Sequence, residues 1–167
     1  MRAIIILISV LLGVSVCSAR DKDLLLVRNL YYKASSNKDD ATRFNDYLAS
    51  SPDINQALLK GYQGMSWMIR ANYSWNPYIK LSYFTKGKDL LEEAIEKDPA
   101  NVELRFLRFC VQTNAPGFLG YSGKISDDRE VIVKGYTDLK DKDLRDRIKN
   151  YLVTSKYCSS SDKSVLK

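Results

Sequence analysis

The chain has 167 residues, a formal net charge of +6, three cysteines and no histidine. The missing histidine excludes every His-dependent triad and removes both the commonest general base near neutral pH and the commonest zinc ligand. The basic excess is spread along the chain and forms no block, which argues against a nucleic-acid partner.

Met1–Ala19 carries one charge, Arg2, then an uncharged apolar run from Ala3 to Val16, then small residues. Cys17-Ser18-Ala19 fits the small-x-small rule for cleavage before Arg20, so the segment reads as a secretory signal. The run falls short of the ~20 apolar residues that span a bilayer, so the mature chain is expected to have no transmembrane span. A bacterial lipoprotein anchored at Cys17 is the lesser reading, because Val16 is bulky for that pattern. Cleavage leaves Arg20–Lys167 with a charge of +5, since Arg2 is the one charge lost from +6. A chain of that length is one domain with a self-sufficient core, expected in the periplasm or secreted. Its two remaining cysteines, Cys110 and Cys158, leave two readings open: a disulfide pinning the C-terminus, or a buried small hydrophobe and an idle thiol.

Asp23–Ala34 is apolar on nearly every side, as a helix covered by its neighbours would be. Asp39–Ala49 predicts a short helix with Phe44, Tyr47 and Leu48 inward. Ser51-Pro52-Asp53 then supplies a start signal for a helix running to about Asn72. Ala57, Gly61 and Gly64 form a small-residue seam along it, and interior glycines at about 1 kcal/mol each imply a compensating close helix contact. NYSWNP follows as a loop, and Asn76-Pro77 caps and opens the next helix. Its apolar stripe is Leu81, Phe84, Leu91 and Ile95, widened by Leu90 and Ala94. Pro99 disfavours helix at Asp98, and Asn101 caps a further helix with Val102, Phe106, Phe109 and Cys110 on its apolar face. Two helices so closely joined run antiparallel. Asn114–Gly123 is a turn-rich loop. Ser126-Asp127-Asp128 opens a helix bearing Val131, Ile132, Tyr136 and Leu139. Asp141 opens the last, with Leu144, Ile148, Tyr151 and Leu152 inward. Residues 159–167 read as a polar, disordered tail. The expected fold is all-α: about seven helices in roughly three stacked antiparallel hairpins, an irregular bundle occupying 20–158.

Gly87, Leu91, Ala94 and Pro99 in GKDLLEEAIEKDP, followed by NVELRFLRF, resemble the second half of a tetratricopeptide repeat and the start of the next. The likeness covers about one and a half helices. Counting back from Pro99, the first-helix positions fall on Ala71, Ser74, Trp75 and Tyr78, where Asn76-Pro77 would break a helix, so the register has slipped or a loop is inserted. The chain also resembles uncharacterised exported bacterial proteins of this helical type. That likeness rests on Asp98, Pro99, Asn101, Glu103 and Arg105–Arg108, then Pro116, Phe118, Leu119, Gly120 and Tyr121. It implies a fold and a location, and no activity.

No phosphate-cradling glycine loop or calcium-loop pattern occurs, and two cysteines cannot build a structural zinc site, so neither cofactor nor metal is expected. Glu92-Glu93 are adjacent on a helix and do not face one another, as a glycosidase pair would. The expected protein is non-enzymatic. It is read as a module that binds a protein or peptide, the alternatives being a structural subunit or homodimer, and a carboxylate hydrolase. Two surfaces are candidates for binding. Arg70, Tyr73, Trp75, Lys80, Arg105 and Arg108 could clamp an acidic or C-terminal peptide, or the arginines could be paired internally. Phe118 and Tyr121 could be a contact loop, or could fold back and plug the end of the stack.

Overall fold

The structure, a computed structural model, describes residues 23–50 and 56–166. The signal segment and the Pro52 start signal lie outside the described residues. The fold is all-α: α1 (23–34), α2 (Lys38–Ser50), α3 (Gln56–Asn72), α4 (Pro77–Lys97), α5 (Val102–Asn114), α6 (Ile125–Tyr136), α7 (Lys142–Leu152) and α8 (Ser160–Val165), with a 3-10 turn at Gly117–Leu119.

Local chemistry explains most of the boundaries. The Asn76 side chain accepts from the Tyr78 and Ile79 amides, Asn101 from Glu103 and Leu104, and Asp141 from Leu144. Each satisfies amides that the first helical turn leaves without partners. The α6 start differs from expectation. Helix begins at Ile125, no side chain caps it, and the Lys124 amide donates to Gln112 Oε1 instead. Gly120 sits at φ 62° and ends the 3-10 turn in left-handed geometry that a side chain would oppose.

The small-residue seam has the partner it required. α3 and α4 form the most extensively packed pair. A Cβ on Gly64 would lie 2.6 Å from the Gly87 carbonyl oxygen, and one on Gly87 would lie 2.5 Å from the Gly64 carbonyl. Backbone touches backbone at this point, so only glycine fits on either side. α5 is central. Leu104 and Leu107 enter a core with Val27, Phe44, Tyr62 and Leu91, while Phe106 and Phe109 enter a second with Ile132, Ile148 and Leu152.

The odd-numbered helices run parallel and close on one another. Tyr73, just past α3, donates to the Ala34 carbonyl at the end of α1, 2.9 Å away. Near their starts, α1 and α5 are joined by Arg28 and Glu103, and Arg28 also reaches Asp141 and Asp143 at the head of α7. At the far end of α7, Tyr151 meets Thr113 of α5 at 2.7 Å. α1 therefore touches both α3 and α7, and the stack curls round until its first and seventh helices meet.

Two expectations need correction. The tail read as disordered carries α8, begun by a capping box in which Ser159 and Asp162 exchange hydrogen bonds, and Leu166 beyond it is fully buried in the second core. The first turns of α4 are exposed: Leu81, assigned to the inward stripe, is solvent-accessible together with Tyr78 and Ile79. α4 is 21 residues long and overhangs the shorter helices beside it.

Candidate functional site

Closure of α1, α3, α5 and α7 leaves a cavity of about 840 Å³ between them. Its wall is mainly apolar, with Tyr31, Met65, Ile69, Leu107, Val111 and Leu144 among the lining residues. Axial order follows from the parallel helices. Arg28, Glu103 and Tyr62 lie towards the helix starts and form the floor. Asn72, Asn114, Lys80, Tyr78 and Phe118 lie at the opposite end and form the mouth. From Glu103 to Asn114 the depth is about 16 Å, at 1.5 Å of rise per residue.

The floor is a buried ion cluster. Arg28, 3% exposed, makes two parallel bonds to Glu103 (Nε–Oε1 2.6 Å, Nη2–Oε2 2.7 Å) and donates Nη1 to Asp141 (2.8 Å) and Asp143 (3.2 Å). The Tyr62 hydroxyl donates to Glu103 Oε1 at 2.6 Å. Burial acts against the Arg28 charge, but the hydrogen bonds and charge of Glu103 outweigh it and raise the Arg28 pKa above the usual guanidinium range. Burial, reinforced by the Glu103 charge, raises the Tyr62 phenol well above its ordinary pKa. One cluster thus ties α1, α3, α5 and α7 together. Sequence reasoning missed Arg28, and the available signal was a charge in the middle of a largely apolar helix.

The basic residues singled out from the sequence do not converge. Arg108 is buried and pairs with the fully buried Asp128 through Nε–Oδ2 (2.8 Å) and Nη2–Oδ1 (2.7 Å), and its Nη1 bonds Glu92. Arg105 donates to Asp128 Oδ1 (3.0 Å) and to the Pro99 carbonyl (2.8 Å). These arginines fasten α4, α5 and α6 to one another and are not offered to a ligand. Arg70 stacks on Trp67, 4.3 Å from the ring centroid, with Lys86 over the same ring at 3.8 Å. Tyr73 is spent on Ala34. Trp75 is wholly exposed and lies outside the cavity wall.

The Phe118–Tyr121 loop divides its roles. Tyr121 packs edge-on against Phe84 and its hydroxyl bonds Glu92, whereas Phe118 stays 87% exposed at the cavity mouth. Of the eight candidates, Lys80 and Phe118 line the cavity. Lys80 is exposed, and among the described residues nothing pairs with it. Cys110 and Cys158 are both free thiols, so the disulfide reading is not realised. Cys110 lines the cavity, where burial pushes its thiol far above the ordinary range.

No protein-family model, no curated protein and no solved structure matches the chain. Among the described residues, no group of three His, Cys, Asp or Glu could hold a metal ion, and no helix is long and apolar enough to cross a membrane.

Proposed function

We propose that the chain is an exported, non-enzymatic helical module that binds an apolar ligand in the cavity enclosed by α1, α3, α5 and α7. The observation that carries this reading is the cavity itself. Its 840 Å³ falls within the roughly 300–1,000 Å³ of small-molecule sites, its wall is mainly apolar, and aromatic rings edge its mouth. In a tetratricopeptide-like reading, the inner helices of stacked hairpins line the concave binding face, and here the odd-numbered helices hold that position. Glu103, the one carboxylate on the wall among the described residues, is held by Arg28 and Tyr62, which gives it a structural role. The signal-like Met1–Ala19 supports export. This reading replaces the arginine clamp, because Arg105 and Arg108 are already paired.

A titration with the uncharged dye N-phenyl-1-naphthylamine tests it. Fluorescence should rise saturably at one site per chain. Val111→Trp, which fills the cavity from α5, should abolish the rise while leaving the helical circular-dichroism signal in place. No saturable binding, or equal binding by Val111→Trp, refutes the reading. A specific observation favours a structural-subunit role as the second reading: Trp75, Tyr78, Ile79 and Leu81 expose apolar surface along the α4 overhang. Sedimentation as a dimer that Trp75→Ser/Tyr78→Ser dissolves would support that role.

A further inference from the structure

We infer that the cavity receives a single-chain long-chain carboxylate, its tail running down between the odd-numbered helices and its head held at Lys80. This rests on the cavity-binding reading above and goes beyond it in naming the ligand class. Three observations select that chemistry.

The first is charge. At the mouth stands Lys80, exposed and unpaired among the described residues. The other cations of the wall are occupied, Arg28 by three carboxylates and Arg147 by Asp143 and Asn29. The one carboxylate of the wall, Glu103, is sealed at the floor. An anionic head therefore finds a free opposite charge at the mouth, whereas a cationic head finds no free carboxylate on the wall among the described residues. One free cation on the wall among the described residues matches a monoanion.

The second observation is the fate of the polar groups along the wall. Tyr62 bonds Glu103, and Tyr151 is bonded by Thr113 and Asn114. An extended peptide would carry one amide N–H and one carbonyl per residue into this mainly apolar space, far more polar groups than the few unbonded wall side chains, such as Tyr31 and Asn72, could satisfy. A methylene chain brings no such groups.

The third is the mouth. A bulky glycerophosphate head would have to pass the exposed rings of Tyr78 and Phe118, which line the same end of the cavity as Lys80, whereas a carboxylate is small enough to sit beside them.

Competition against the naphthylamine dye tests the assignment on the delipidated protein purified after export. All amphiphiles are kept below their micelle concentrations. The competitors are dodecanoate, dodecanol, dodecyltrimethylammonium, a lysophosphatidylglycerol of the same chain length and a capped leucine-rich peptide. Dodecanoate should displace the dye at concentrations about threefold to fivefold below dodecanol, the scale of an exposed ion pair, and further below the cation. Lys80→Glu should reverse the order of anion and cation. Because Lys80 is exposed and makes no internal bond, that variant should melt with the wild type. Equal or tighter binding of the cation to the wild type overturns the inference. So does a Lys80→Glu variant with unchanged selectivity, or displacement by the peptide or the lysophospholipid as strong as by dodecanoate. In all those cases the dye still binds and the cavity reading survives. Failure of the dye to bind at all removes both.

Discussion

Replacing Arg28 by methionine probes the closure of the helix stack. The side chain is 3% exposed and Glu103 is 5% exposed, so removing the guanidinium leaves a carboxylate buried with one phenol as its partner. Breaking a buried pair from one side costs roughly 3–5 kcal/mol. Asp141 and Asp143 add little, because their side chains are about a third exposed, at 37% and 30%, and can rehydrate. Against a typical total of about 5–15 kcal/mol, the loss is severe but survivable. For a chain of this size it corresponds to a drop in Tm of roughly 6–20 °C. The assay is urea and thermal unfolding followed by circular dichroism, run beside Glu103→Gln and the double variant Arg28→Met/Glu103→Gln. In the double variant no uncompensated charge is buried, and glutamine can still accept from Tyr62, so it should be more stable than Arg28→Met alone. A single-variant loss below about 1 kcal/mol, or strict additivity in the cycle, would refute the role given to the buried cluster in tying the helices together.

Three further outcomes follow from the same geometry. Gly64→Ala forces a methyl against the Gly87 backbone and should cost about 1–3 kcal/mol, whereas Gly123→Ala, with nothing within 4 Å, should stay within about 0.5 kcal/mol of wild type in the same melts. Leu166→Ala should cost about 2–5 kcal/mol if the C-terminal segment is packed as described, and nothing measurable if it is loose. Stability should also depend on pH at both extremes, as urea midpoints would show. Burial raises the Tyr31 and Tyr62 phenols above their unfolded value near 10, so their contribution is complete below about pH 10 and declines above it, less steeply in Tyr62→Phe. Partial burial of Asp141 opposes its charge, but the Leu144 amide and Arg28 outweigh that and lower its pKa. Its contribution holds above about pH 4 and is lost as pH falls through the depressed value.

Much of the fold was legible because its signals are local. Asn76-Pro77, Asn101 and Asp141 mark helix starts by residues a few positions apart, and those caps are in place. The glycine seam announced a close helix contact, and so did the small residue at Gly87 in the repeat-like stretch, but nothing in the spacing showed that the two meet each other. The α8 capping box stands in Ser159-Ser160-Ser161-Asp162 and was overridden by the polar composition around it. The site was less legible because its groups meet across long separations. Arg28 and Glu103 are 75 residues apart, and Arg28 and Asp141 are 113 apart. Nothing in the spacing of such residues records the meeting. The internal pairing weighed for Arg105 and Arg108 is realised, but nothing in the spacing singled out Asp128, on another helix, as their partner. Leu81 fitted the stripe of α4 by period, but period does not reveal where a long helix outruns its neighbours.

The central claim is that a ligand tail lies inside the ring of odd-numbered helices. Isotope-filtered nuclear Overhauser spectra of the protein with unlabelled dodecanoate address it most directly. The account predicts contacts from the chain methylenes to the methyls of Met65, Leu107 and Val111, and from the carbon beside the carboxylate to the Lys80 side chain. Contacts confined to Trp75 and Ile79 on the outer edge, with none to Leu107 or Val111, would contradict it.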